Sequence, residues 1–84
     1  MNETEIRALI LRHIGDIAPE IEPDMVGPDD DIREACDLDS MDFLNLVIAL
    51  HEDTGIDIPE EDYPRLRTLN EGAIYMGGKL NPST

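Results

Sequence analysis

Apolar positions along the first part of the chain repeat with helical spacing. Ile6, Leu9, Ile10, His13, Ile14 and Ile17 fall at i, i+3, i+4, i+7, i+8 and i+11, which places them on one face of a helix. Asn2 and Glu5 have the spacing of a capping box, and Pro19 sets the stop. Residues 18 to 38 then form a long connection, broken by Pro19, Pro23, Gly27 and Pro28. Ile21, Met25, Val26, Ile32 and Leu38 recur along it and read as anchors to a core, while Asp29-Asp30-Asp31 reads as a solvated turn.

A second helix is predicted from about Ser40 to Thr54, with Asp39 as N-cap, Gly55 as stop, and Leu38 and Phe43 at the spacing of a hydrophobic staple. Asp42 adds negative charge to the first turn, where the helix dipole favours it. Ile56-Asp57-Ile58-Pro59 is predicted to be extended, with one short helical turn over 60–63 before Pro64. Thr68 and Glu71 form a second capping-box pattern ahead of a last helix striped by Leu69, Ala73, Met76 and Leu80. Gly77-Gly78 is predicted to end or fray it, leaving a flexible tail over about 78–84.

The second helix carries two apolar faces. At about 100° per residue from Ser40, Phe43, Leu46, Val47 and Leu50 group between roughly 240° and 340° and should face the core. Met41, Leu44 and Ile48 group between roughly 40° and 100°, bordered by Asn45, His51 and Glu52. In a small bundle one buried stripe suffices, so the second arc reads as a partner-binding face with a polar rim; burial of the helix on two sides is the competing reading.

Composition narrows the function class. Eighty-four residues support one domain around one core, and with only Phe43, Tyr63 and Tyr75 aromatic, an all-α bundle fits better than a sheet. Twenty acidic residues against six basic ones give a formal net charge of −14. Such a surface repels nucleic acid and anionic membranes and favours partners with basic patches. Cys36 is the only cysteine, so no intramolecular disulfide forms. The surrounding acids are expected to raise its pKa and dull it. The N-terminal segment lacks the basic flank of a signal peptide and no apolar run reaches membrane-spanning length, so a cytoplasmic location is expected.

Metal and nucleophile chemistry find little support. Read as a calcium loop from Asp29, the acidic stretch has Arg33 at the fifth position, Glu34 where glycine is required and Ser40 where a bidentate Glu belongs. His13 lies on an apolar face and His51 has no Cys or His at ligand spacing. No metal site, catalytic residue or enzymatic activity is expected.

The segments Asp39-Ser40-Met41-Asp42, Leu46-Val47-Ile48-Ala49-Leu50 and Gly55-Ile56-Asp57-Ile58-Pro59-Glu60-Glu61, in this order and spacing, resemble the acyl carrier protein family. The resemblance covers nearly the whole chain and includes Tyr75 in the last helix. It implies an up-down bundle of three main helices plus a short one, with a long first loop. It implies that a phosphopantetheinyl transferase attaches 4′-phosphopantetheine to Ser40, with Asp39 assisting, and that acyl groups ride on the cofactor's thiol as thioesters. Acyl-transferring or condensing enzymes of fatty-acid, polyketide or related biosynthesis would then meet a monomer through Met41, Asp42, Leu44, Asn45, Ile48 and Glu52, with Asp53 adding charge. Phe43, Val47, Leu50, Ile56, Ile58, Leu66 and Ala73 would line the acyl pocket; otherwise they are plain core.

The chain departs from the family pattern at Asp37, where glycine is usual, at Asn45 and His51, where acids are frequent, at Thr54, where an aromatic is common, and at Phe43, where a smaller residue is frequent. These departures point to a dedicated carrier outside the ordinary fatty-acid synthase. Two rival readings remain: an aminoacyl or peptidyl carrier, whose Gly-x-x-Ser approach is absent here, and a cofactor-free acidic interaction domain.

Overall fold

The computed structural model describes residues 2–80, and among them there are helices and turns but no strand. Three long helices form the frame: α1 (Glu3–Ile17), α3 (Ser40–Thr54) and α4 (Leu69–Leu80), with the short α2 (Ile32–Ala35) inside the first long connection. Pro23–Met25 and Glu60–Leu66 form 3-10 segments.

Each of the three long helices starts as its sequence predicts, whereas α2 and its Asp31 cap arise inside the stretch read as a loop. The Asn2 side chain accepts from the Glu5 amide at 2.8 Å, and the Glu5 side chain accepts from the Asn2 amide at 3.0 Å. Asp39 accepts from the Asp42 amide at 2.8 Å, and Asp42 accepts back from the Asp39 amide at 3.4 Å, closing a second reciprocal cap. Thr68 Oγ1 accepts from the Glu71 amide at 3.0 Å. Removing such a cap costs about 1 kcal/mol, because an orphan amide is left without a partner. Gly55 ends α3 at φ 76°, the left-handed geometry that favours glycine.

One core joins these elements. Ile6, Leu9, Ile10 and Ile14 of α1, Phe43, Leu46, Val47 and Leu50 of α3, and Leu69, Ala73 and Met76 of α4 are buried together. Gly72 permits close approach: a Cβ there would stand 3.1 Å from Ile10 Cδ1 and 3.4 Å from Leu66 Cδ2.

The first connection differs most from its sequence reading. Val26, Ile32 and Leu38 are buried anchors and Ile21 packs against the core, but Met25 is 59% exposed. Met25 closes the 3-10 turn, and it is its neighbour Val26 that turns inward. The acidic run is a set of tethers. Asp29 accepts from Asn70 Nδ2, Asp30 accepts from the Gly27 amide, and Asp31 caps α2 and pairs with Arg67 at 3.2 Å. Backbone bonds from Ile32 to the Arg67 carbonyl and from Asn70 to the Pro28 carbonyl complete the seam.

Two further expectations are corrected. The short turn before Pro64 is a 3-10 segment that continues through it. Pro64 has no amide to donate, but its carbonyl accepts from Arg67 at 3.4 Å, so the turn is not broken. α4 also runs past Gly77-Gly78 to Leu80. It still lies on α1 there, since a Cβ at Gly77 would stand 3.5 Å from Ile6 Cδ1, and tertiary packing outweighs the helix penalty of glycine. Residues 81–84 of the expected flexible tail lie outside the described residues.

Candidate functional site

The site begins with the end of α2. The Leu38 amide donates to the Arg33 carbonyl at 2.9 Å and the Asp37 amide donates to the Glu34 carbonyl at 3.4 Å. These are the paired bonds of a Schellman motif, with Asp37 at its left-handed position, φ 52°. Glycine fits that position without strain; Asp is one of the few other residues that tolerates it. The reversal buries Leu38, leaves Asp39 free to cap α3, and presents Ser40 as the first helical residue.

Ser40 is exposed, and its Oγ accepts a hydrogen bond from Arg33 Nη2 at 3.3 Å. Beside it opens a cleft of about 350 Å³ lined by Arg33, Ser40, Phe43, Leu44, Glu60 and Tyr63. Phe43 and Tyr63 meet edge-to-face, with ring centroids 6.1 Å apart. The Arg33 guanidinium lies 5.8 Å from the Phe43 centroid. In the sequence Arg33 stands out only as the cation that breaks a calcium-loop pattern; its spacing from Ser40 carries no signal until the α2 reversal folds them together.

The two arcs of α3 separate. Phe43, Leu46, Val47 and Leu50 are buried, whereas Met41 and Ile48 are 64% and 43% exposed and Leu44 is half-buried. Asn45, His51 and Glu52 are exposed beside them, and Asp42 is half-buried in its cap. Asp53 is engaged elsewhere: its Oδ2 lies 3.0 Å from Arg12 Nη2 and 2.9 Å from His13 Nε2. It joins α3 to α1.

A second cleft, about 580 Å³, runs along α3 and is lined by Val47, Ile48, His51, Asp57, Ile58, Pro59, Tyr63 and Lys79. Tyr63 is common to both clefts. Of the residues expected to line an acyl pocket, Val47, Ile58 and Phe43 border these clefts. Leu50, Ile56, Leu66 and Ala73 are packed in the core.

Burial pushes the Cys36 thiol above its ordinary pKa, the expected direction, but the cause is removal from water rather than neighbouring acids. Burial alone would raise the Asp31 carboxyl, but the Glu34 amide, the Arg67 side chain and the Arg33 amide bond its ionised form and together hold it below the usual range. Among the described residues no group of three or more His, Cys, Asp or Glu side chains converges as a metal site.

Comparison with known proteins decides the family. A family model described as a phosphopantetheine attachment site matches residues 8–75. The chain belongs to the acyl carrier protein family. An acyl carrier protein of Thermosynechococcus vestitus is 29% identical over 80 residues, covering 95% of this chain and 98% of the relative. That of Lactobacillus johnsonii is 32% identical over 75 residues, covering 86% and 94%. That of Rubrobacter xylanophilus is 30% identical over 73 residues, covering 83% and 90%.

The cofactor of this family is covalent 4′-phosphopantetheine, which supplies the thiol that holds acyl groups as thioesters. The residues at the start of α3 fit an acyl carrier protein's cofactor. An accessible hydroxyl, a helix N-terminus that favours negative charge and a guanidinium stand together there, a set that would suit a phosphodiester.

Proposed function

We propose that Ser40 is the attachment point of the 4′-phosphopantetheine arm, and that the protein presents acyl thioesters on it to partner enzymes of fatty-acid, polyketide or related biosynthesis. The observation that carries this reading is the exposed Ser40 hydroxyl at the first position of α3, capped by Asp39. Asp39 fixes the helix start and so the direction of the hydroxyl; near the transferase it also offers a carboxylate to that enzyme's metal ion. The protein itself carries no catalysis in this reading, because the reactive thiol belongs to the arm.

Partner enzymes dock on the exposed arc of Met41, Leu44 and Ile48, whose polar rim is Asp42, Asn45 and Glu52. The apolar centre supplies contact and the net negative field supplies steering toward basic patches. The acyl chain runs from Ser40 across Phe43 and Tyr63 into the cleft bordered by Val47 and Ile58. In this reading the protein works as a cytoplasmic monomer of one domain. Among the described residues no helix is long and apolar enough to cross a membrane. Asn45 and His51 leave the recognition face with less negative charge than is usual, which favours dedicated partners over the housekeeping synthase.

Intact mass after incubation with coenzyme A, magnesium and a broad-specificity phosphopantetheinyl transferase tests the attachment. One arm should be added to the wild-type chain. Ser40→Ala should stay folded, since Asp39 still caps α3, and should gain no mass. A folded wild-type protein that takes up nothing, or an alanine variant that is still modified, would refute Ser40 as the attachment point.

A further inference from the structure

Positive charge is scarce in this chain: six Lys and Arg side chains stand among twenty Asp and Glu. Arg7, Arg12 and Arg67 each pair with a carboxylate, to Glu3, Asp53 and Asp31. Among the described residues Arg33, like Arg65 and Lys79, forms no ion pair, although Glu60 lines the same cleft. Its guanidinium instead lies over the Phe43 ring at 5.8 Å and donates to Ser40 Oγ at 3.3 Å. A neutral serine hydroxyl is a weak partner for a guanidinium in so acidic a protein.

We infer that Arg33 is a built-in counter-ion for the phosphodiester formed on Ser40, holding the arm's root on the Phe43–Tyr63 side of α3. This rests on the attachment proposed above. A phosphodiester places two non-bridging oxygens, which share one negative charge, two bonds beyond the serine oxygen, within reach of a small movement of an exposed arginine side chain. Charge-assisted N–H···O bonds of that kind favour roughly 2.7–2.9 Å and are about twice as strong as neutral ones. Phe43, conspicuous in the sequence for its bulk, gains a role as the platform for Arg33. A guanidinium stacked on an aromatic face is oriented before its anion arrives, so less rotamer freedom is lost on pairing. The direction also matters. The cleft beside Ser40 is lined by Arg33, Phe43, Leu44, Glu60 and Tyr63, so an arm held by Arg33 starts along that cleft and not over Met41.

A thermodynamic cycle tests the pairing. Tm is measured for wild type and Arg33→Gln, each before and after loading, with loading verified by intact mass. Loading adds negative charge to an already acidic protein, and only wild type has the guanidinium to offset it. Loading should therefore lower the Tm of Arg33→Gln by roughly 2–4 °C more than it lowers that of wild type. The cycle cancels whatever Arg33→Gln costs the unloaded fold. Arg33→Lys, which keeps the charge without the planar fork, should recover part of the difference. The 31P resonance of the loaded arm should also move between wild type and Arg33→Gln. Equal loading effects in wild type and Arg33→Gln with an unmoved resonance would overturn the role of Arg33 while leaving Ser40 as carrier. Absence of the arm on folded wild type would overturn both.

Discussion

His13 of α1 and Asp53 of α3 meet across the bundle, with Nε2 and Oδ2 2.9 Å apart. The His13 side chain is only 14% exposed and Asp53 39%, and Arg12 reaches the same oxygen at 3.0 Å. Asp53 was expected to offer its charge to partners; it serves as a clasp between two helices.

Asp53→Ala should therefore lower stability by about 1 kcal/mol, because it removes the carboxylate that bonds both His13 Nε2 and Arg12. For a domain of this size that is roughly a 4–8 °C fall in Tm by thermal denaturation. Glu52→Ala, at the exposed neighbouring position, should change Tm by less than about half that amount. Equal shifts in the two variants would show that the clasp contributes nothing of its own.

Asp37 occupies the left-handed position that closes α2. Asp37→Gly should stabilise the protein by about 0.5–1 kcal/mol, since relief of left-handed strain outweighs the added freedom of the unfolded chain. It also removes one negative charge from a protein with many. Asp37→Val should destabilise it, as a β-branched side chain resists φ 52°. Urea denaturation of the three proteins gives the order; a glycine variant less stable than wild type would contradict it.

Tyr75 donates to Asp62 Oδ2 at 2.6 Å, tying α4 to the 3-10 segment. Burial first, then this bond and the Asp62 charge, push its phenol up to about 12, against a small opposing pull from Arg65. The folded state thus keeps a proton that the unfolded chain begins to lose near pH 10. The stabilisation is complete below that pH and is lost as pH rises toward 12. Absorbance titration near 295 nm should show a tyrosinate transition at about 12 in wild type that is absent from Tyr75→Phe. Tyr75→Phe should also unfold about 1 kcal/mol more easily near neutral pH, and that difference should shrink at strongly alkaline pH.

Met41 and Ile48 leave large apolar surface in water. Met41→Glu and Ile48→Glu should leave Tm within about 3 °C of wild type, because neither side chain is in the core. Both should still accept the arm if the transferase contacts mainly the Asp39–Ser40 turn. Both should weaken transfer to acyl-loading enzymes on the order of tenfold or more, as loss of an interface anchor does. Unchanged transfer rates for both would remove this arc from the docking surface.

Much of the frame was legible along the chain. The caps at Asn2, Asp39 and Thr68 and the stop at Gly55 are local rules, set by orphan amides and by left-handed geometry within a few residues. The two arcs of α3 followed from periodicity, and exposure of Met41 beside burial of Phe43 agrees with it. The long connection was not legible in detail. Its acids bind Asn70, the Gly27 amide and Arg67, and no local pattern announces those partners. The run of α4 past its glycines likewise depends on α1 lying against it.

The sequence by itself determined the three long helices, their starts, the serine at the head of α3 and the family, because each is written in neighbouring residues or in a linear motif. Only the tertiary structure decided that Asp53 clasps His13, that Asp37 stands in a left-handed reversal and that Arg33 reaches Ser40 across Phe43. These relations depend on how separate segments meet in space, and a side chain's partner is fixed only when the core has set the distance and angle between the elements that carry them.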